Sequence, residues 1–130
     1  MSNPNKMLQI AVEAALKSEY NTYRIGAAIF SRKGALISTG FNKQKTHVRQ
    51  AKWAFEVGQP LRQFLHAEID ALIKCRHGDP YSIVIVRLTS KGLAMAKPCA
   101  VCQRALLETH INKIYWTNER GQLVCGNPGM

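Results

Sequence analysis

Several things are scarce in this chain, and each scarcity excludes something. No apolar run approaches the ~18 residues a membrane-spanning helix needs, so no membrane span is expected. The first residues contain no apolar h-region, so no secretory signal is expected either. There is no low-complexity tract and no internal repeat. Cysteine occurs four times, and two of these fall in a single C-x-x-C. That argues against a disulfide framework and for a reducing, cytoplasmic compartment, with Cys75 and Cys125 as free thiols. Acidic residues are also few: 8 Asp and Glu against 18 Lys and Arg, a formal charge of +10. Such an excess favours a polyanionic partner or a phosphorylated substrate, and the plain alternative is a solvated basic surface. No five basic residues stand in a row, so there is no disordered nucleic-acid arm.

What is present is ordinary for a globular protein. Of the 130 residues, 46% are hydrophobic and 20% charged, enough for one core and one domain spanning residues 1–130.

Two short stretches carry the chemistry: His66-Ala67-Glu68, and Pro98-Cys99-Ala100-Val101-Cys102. Cysteines three apart on a helix share a side, so Cys99 and Cys102 can hold one ion as a pair. Pro98 suits a helical first turn, where its missing N–H is no loss. Cys99 then lies near a helix N-terminus, where the dipole favours thiolate over thiol. His66 supplies a neutral imidazole as third ligand, which leaves one position of a tetrahedral zinc site open. Glu68 is placed to reach a water there and to take and return its proton, which makes metal-assisted hydrolysis the expected chemistry. A C-x-x-C alone would equally suit a structural zinc knuckle or a redox pair. A structural zinc would need a fourth Cys or His at tight spacing, which Cys75 and Cys125 do not provide.

In this order, with Pro98 directly before Cys99, the two stretches match the zinc deaminase signature. The sequence resembles the cytidine and deoxycytidylate deaminase superfamily over most of its length. The likeness includes Gly26-Ala27-Ala28-Ile29-Phe30, a turn Ser38-Thr39-Gly40-Phe41-Asn42, His66 to Leu72, Lys97-Pro98-Cys99, and Lys113 to Thr117. A His as first ligand is similar to the deoxycytidylate, tRNA and polynucleotide branches. The resemblance implies Zn²⁺ as cofactor, held by His66, Cys99 and Cys102, and attack by an activated water on C4 of cytosine. Glu68 would protonate N3 and then carry a second proton to departing ammonia. It further implies Asn42, Ala67, Arg24 and Trp116 as substrate contacts.

Read along the chain, residues 5–20 form a first helix, with Asn3 as its cap and Pro4 at its start. Residues 24–41 form a hairpin of strands 24–31 and 35–40. Residues 42–65 form a basic connection with Lys43, Lys45, Arg49, Lys52 and Arg62. Trp53 and Phe55 are interleaved, a short helix covers 50–57, and the role expected is a lid or binding loop. At least one of the two aromatics is expected to anchor this loop to the core. A second helix runs from His66 to about Arg76. A buried strand covers 82–88, a loop 89–97, a third helix 99–109, and strands 111–117 and 122–124 follow. His77 and His110 fall near helix ends, as surface partners of the dipole. The fold expected is a three-layer α/β/α sandwich with a mixed sheet of about five strands.

The function expected is zinc-dependent deamination of cytosine to uracil in a cytidine or deoxycytidine nucleotide, deoxycytidylate first. The alternative is a cytosine or adenine deaminase acting on single-stranded DNA or RNA. A non-catalytic zinc module that binds nucleic acid is the rival from another class, and Glu68 speaks against it. A homo-oligomer is expected, because small deaminases of this type commonly assemble.

Overall fold

The computed structural model describes residues 4–60, 64–75 and 79–126. Along the chain come α1 (Pro4–Ala15), β1 (Arg24–Ser31), β2 (Leu36–Phe41), α2 (Val48–Glu56) and α3 (Ala67–Lys74). They are followed by β3 (Pro80–Thr89), β4 (Gly92–Ala94), α4 (Ala100–Glu108), β5 (Lys113–Thr117) and β6 (Leu123–Gly126). The strands make one mixed sheet in the order β2-β1-β3-β5-β6, with β4 added beside β3. Every neighbouring pair is antiparallel except β3 and β5, which run parallel from Ser82↔Lys113 to Ile85↔Trp116. A parallel pair needs a crossover, and α4 supplies it.

The apolar runs of β1 and β3 are buried on both faces, and strand alternation divides their side chains between two layers. Ala28, Phe30, Val84 and Val86 pack with Met7, Ala11 and Ala15 of α1. Ala27, Ile29, Ile83, Ile85 and Ile114 pack with residues of α2, α3 and α4. This is the expected α/β/α sandwich. Two glycines let helices lie directly on the sheet. A Cβ on Gly26 would run into the Ala11 carbonyl and Ala15 amide of α1. One on Gly40 would run into the Ala67 carbonyl and Ala71 amide of α3.

Four local differences from the sequence reading have physical causes. The sheet has six strands, because residues 92–94 turn back within the expected loop and pair with Arg87–Thr89. Gly92, at φ 113, allows that tight return. Residues 38–41, matched to a turn in the resemblance though 35–40 read as a strand, continue strand β2 against Gly26–Ile29. Helix α1 stops at Ala15 rather than Tyr20. Its last bonds, Lys17 N–H to Ala14 and Ser18 N–H to Ala15, are of the tighter i−3 kind, and the Ser18 hydroxyl then donates to the Asn42 side chain. His66 and Cys99 are the N-cap residues of α3 and α4, so Pro98 precedes the cap instead of opening the helix. The expected short helix is present as α2, ended by Gly58 at φ 75. His110 is the left-handed residue (φ 62) that terminates α4. Asn3, Arg62, Arg76 and His77 lie outside the described residues. Among those described, no helix is long and apolar enough to cross a membrane.

Candidate functional site

Two helix N-termini meet at the carboxyl side of the sheet, and each places its N-cap side chain in the gap between them. His66 (φ −80, ψ 155) and Cys99 (φ −72, ψ 173) are extended, as N-cap residues are, and neither side chain caps its own helix. Cys102 sits one turn into α4 and is fully buried. His66 Nδ1 lies 3.2 Å from Cys102 Sγ and 3.5 Å from Cys99 Sγ. The three donor atoms all lie within 4.8 Å of one another. Bonds of 2.0–2.3 Å in a tetrahedral zinc site separate its donors by roughly 3.3–3.8 Å, so this constellation needs little rearrangement to close on an ion.

The electrostatics are those of a site built for a cation. Donation from Cys102 brings the Cys99 thiol down to about 3; burial opposes this and His66 adds to it. Burial pushes Cys102 well above the usual thiol range, as do its bond to Cys99 and the charge of Glu68. Glu68 is 5% exposed, and burial raises its carboxyl, partly countered by His66. Its Oε1 has no hydrogen-bond partner. A buried carboxylate oxygen left unpartnered is rare and costly. Beside one nitrogen and two sulfur donors, it fits a zinc site whose open position faces an acid–base group.

A cavity of about 650 Å³ opens onto this group, and His66, Glu68 and Cys99 are in its wall. Tyr20, Tyr23, Phe64 and Met95 contribute apolar surface, and among the described residues Lys97 is the only Lys or Arg in its lining. Sequence reasoning missed these five. Only the break after α1 hinted at Tyr20 and Tyr23, and only adjacency to Pro98 pointed to Lys97.

The expected substrate contacts divide. Asn42 lines the cavity and is buried. Its Oδ1 accepts from Ser18 Oγ at 2.5 Å and from the Ile25 N–H at 3.0 Å, and its Nδ2 donates to the Tyr23 carbonyl at 2.7 Å. One amide N–H is left over. Ala67, the first residue of α3, is fully buried and is not in the cavity wall. Arg24 is elsewhere: next to Ile25, which lines the cavity, it points to the opposite sheet face. There its Nε donates to the Tyr20 carbonyl, and it borders a smaller hollow with Thr22, Leu88 and Ser90. Trp116 belongs to the core that includes Val101 and Ala105 of α4, and it too is absent from the cavity wall.

The basic connection is also not what its charge suggested. Its two ends pair with each other: the Lys43 N–H donates to Leu65, the Leu65 N–H to Lys45, and Thr46 bridges Phe64. Between them, α2 packs on α4, with Trp53 and Ala54 buried and the Trp53 indole donating to Glu108. Trp53 is thus the anchor, while Phe55 is exposed. Lys43 Nζ is 2.9 Å from buried Asp70, which Lys74 also meets at 3.1 Å. The Arg49 guanidinium lies over the Trp53 ring. These cations are engaged within the protein, and α2 buttresses the site rather than lining its cavity.

A family model described as the cytidine and deoxycytidylate deaminase zinc-binding region matches residues 1–118. No curated protein matches the chain in sequence. Among solved structures, the chain is similar to a cytidine deaminase from Burkholderia pseudomallei, with 20% identity, 98% of this chain and 94% of that one covered, and a TM-score of 0.70. It is similar to a cytidine deaminase from Mycobacterium leprae at 21% identity, with 96% and 94% covered and a TM-score of 0.61. It is also similar to the dCMP deaminase of cyanophage S-TIM5 in complex with dCMP and dUMP, at 18% identity, 92% and 85% covered, and a TM-score of 0.53. At these identities the structures speak for the shared fold.

Proposed function

We propose that this chain, which belongs to the cytidine and deoxycytidylate deaminase zinc-binding family, removes the amino group of cytosine in a pyrimidine mononucleotide, with deoxycytidylate as the preferred substrate. The family and the His66–Cys99–Cys102 donor set make it a zinc-dependent deaminase; the substrate and the residue roles are our reading. The observation that carries it is the position of Lys97, the one Lys or Arg among the described residues of a largely apolar cavity wall that also holds Glu68. A nucleotide presents one phosphate and one flat ring, which is what such a cavity can take. The neighbour whose structure holds dCMP and dUMP supports the same choice.

His66, Cys99 and Cys102 would hold the ion, which when bound supplies a nucleophile from water at neutral pH. Glu68 handles the protons. Its unpartnered oxygen accepts one from the water and hands it to ring N3, and a second passes to the departing amine. A C4–O bond forms, the C4–N bond breaks, and uracil and ammonia leave. A carboxyl raised by burial suits this work, because it must both take and give at neutral pH. Leu65, Ala96 and Ile25 give the ring an apolar slot, and the free N–H of Asn42 is available to a sugar or base oxygen.

Incubating zinc-loaded protein with cytidine, deoxycytidylate and a cytosine-containing oligonucleotide, and following ammonia, tests the proposal. Deoxycytidylate is expected to have the highest kcat/KM. Lys97→Ala should raise its KM by roughly tenfold, the worth of one charge-assisted hydrogen bond, and leave cytidine unaffected. Equal use of cytidine, with no response to Lys97→Ala, would refute it. A second reading is favoured by Tyr23 and Phe64, which are 46% and 55% exposed at the cavity and can stack on a flanking base of a single strand. Binding of an oligonucleotide with a log–log salt slope of about −3 or steeper, together with its deamination, would decide for that reading.

A further inference from the structure

The feature that the reaction leaves unused is Gln50. It sits on α2, in the middle of the basic connection, yet it is completely buried. Its Oε1 accepts the backbone N–H of His66 at 3.2 Å. His66 is the N-cap of α3, and its side chain forms no cap bond because it faces the cysteines. Helices commonly have the N-cap N–H satisfied by a Glu or Gln at their own N3 position. In α3 that position is Ile69, which is fully buried in the core and carries no acceptor. Gln50 supplies the missing acceptor from another helix.

We propose that Gln50 is a positioning residue for the metal site, fixing the backbone of His66 so that its imidazole meets Cys99 and Cys102. Three observations converge on this. The N-cap dihedrals of His66 aim its side chain, so whatever fixes its peptide plane fixes the ligand. The acceptor comes from α2, which is itself held on α4 by the Trp53–Glu108 bond and by Arg104 near Glu56. Helix α4 carries the other two ligands. The buttress therefore ties the first ligand to the same helix as the second and third. The paired residues 43–46 and 64–65 bring the chain back from α2 directly into His66, so a shift of α2 is delivered to the ligand over one or two residues.

This inference rests on His66 being a zinc ligand, which His66→Ala tests separately by metal content. It does not depend on the substrate, because the readouts come from the metal. The test is zinc affinity by chelator competition, and the visible bands of the cobalt(II)-substituted protein, in Gln50→Met and Gln50→Glu. Met matches the length of Gln without an acceptor; Glu keeps an acceptor oxygen in place. Expected for Gln50→Met is a zinc affinity lower by about tenfold or more, the usual effect of losing a partner of a ligand, with shifted cobalt bands. Gln50→Glu should stay near wild type in both. Trp53→Phe, which removes the indole bond to Glu108 but leaves the Gln50–His66 bond in place, should lower affinity by less than Gln50→Met does. Wild-type affinity and bands in folded Gln50→Met would overturn the proposal. So would an equal loss in Trp53→Phe. If Gln50→Met does not fold, amide exchange in the wild-type protein decides: a protected His66 N–H supports the bond, and free exchange overturns it.

Discussion

The contact between Gly40 and α3 makes the sharpest mechanical test of how the fold holds its chemistry. A methyl group added at Gly40 would overlap the Ala67 carbonyl and the Ala71 amide and stand 3.0 Å from Ala71 Cα. Ordinary contacts begin near 3.4 Å, and the two overlapped atoms are backbone, which no rotamer change can clear. Helix α3 must therefore withdraw by about 1 Å. Overpacking of this kind costs roughly 1–3 kcal/mol, which lowers the melting temperature by roughly 3–5 °C for each kcal/mol in a chain of this size. The functional loss should be disproportionate, because α3 carries Glu68 in its first turn and His66 at its cap. A misplacement of ~1 Å can cost ~10²-fold in rate. Gly26→Ala is the control. It collides equally hard with the backbone of α1, on the sheet face that holds no ligand. Both variants should melt early. Only Gly40→Ala should bind zinc weakly and lose about 10²-fold in kcat at a temperature where it is fully folded. A folded Gly40→Ala with normal zinc content and turnover would refute this reasoning, and so would an equal loss in Gly26→Ala.

Cys99→Ala should abolish zinc retention, while Cys75→Ala and Cys125→Ala keep about one zinc per chain; metal loss from either of the latter would reassign the ligands. Glu68→Gln should hold zinc and lose at least ~10²-fold in turnover, and near-normal turnover in a zinc-loaded Gln variant would sink the acid–base role. The same substitution changes metal-free stability. The folded-state carboxyl is raised above 4.5, so from about that pH upward the folded protein holds a proton that the unfolded chain releases. Stability is then lost as pH rises toward the folded value. Urea denaturation of metal-free protein should show Glu68→Gln losing less stability than wild type as pH rises above about 4.5. Neutralising Lys45 or Lys52 should leave KM for deoxycytidylate unchanged. Lys43→Ala should instead lower stability by roughly 1–3 kcal/mol, because it strips a partner from buried Asp70.

The metal site was legible because its information is local. H-x-E and P-C-x-x-C each place their donors within one turn of a helix start, and β1 runs from Arg24 to Ser31 as its apolar pattern indicates. What stayed illegible depends on contacts between distant segments. Gln50 reads as one more polar residue in a charged connection until α2 docks and brings it to His66. Lys43 reads as a phosphate-binding cation until Asp70, far along the chain, claims it. Arg24 and Ile25 adjoin, and only the placement of the sheet decides which of the two meets the cavity. Leu16 continues the helical stripe of α1, but the chain leaves the helix so that Ser18 can bond Asn42, and Leu16 ends up 54% exposed. Strand β4 is three residues long, too short for any periodicity to show.

The parallel pairing of β3 with β5 also sets a schedule. His66 and Cys102 are 36 residues apart, and at synthesis rates of ~5–20 residues per second roughly two to seven seconds separate their appearance. Gly40 is made before His66, so the seat of α3 exists as soon as that helix can form; Gln50 is made early too, but α2, which carries it, is held in place by α4. The sulfur donors come later. They are held in place only once α4 has crossed over and β5 has found its place beside β3. Glu68 is meanwhile carried on a helix that is ready before its partners are. Capture of the ion by all three donors therefore waits for the start of α4 to be made.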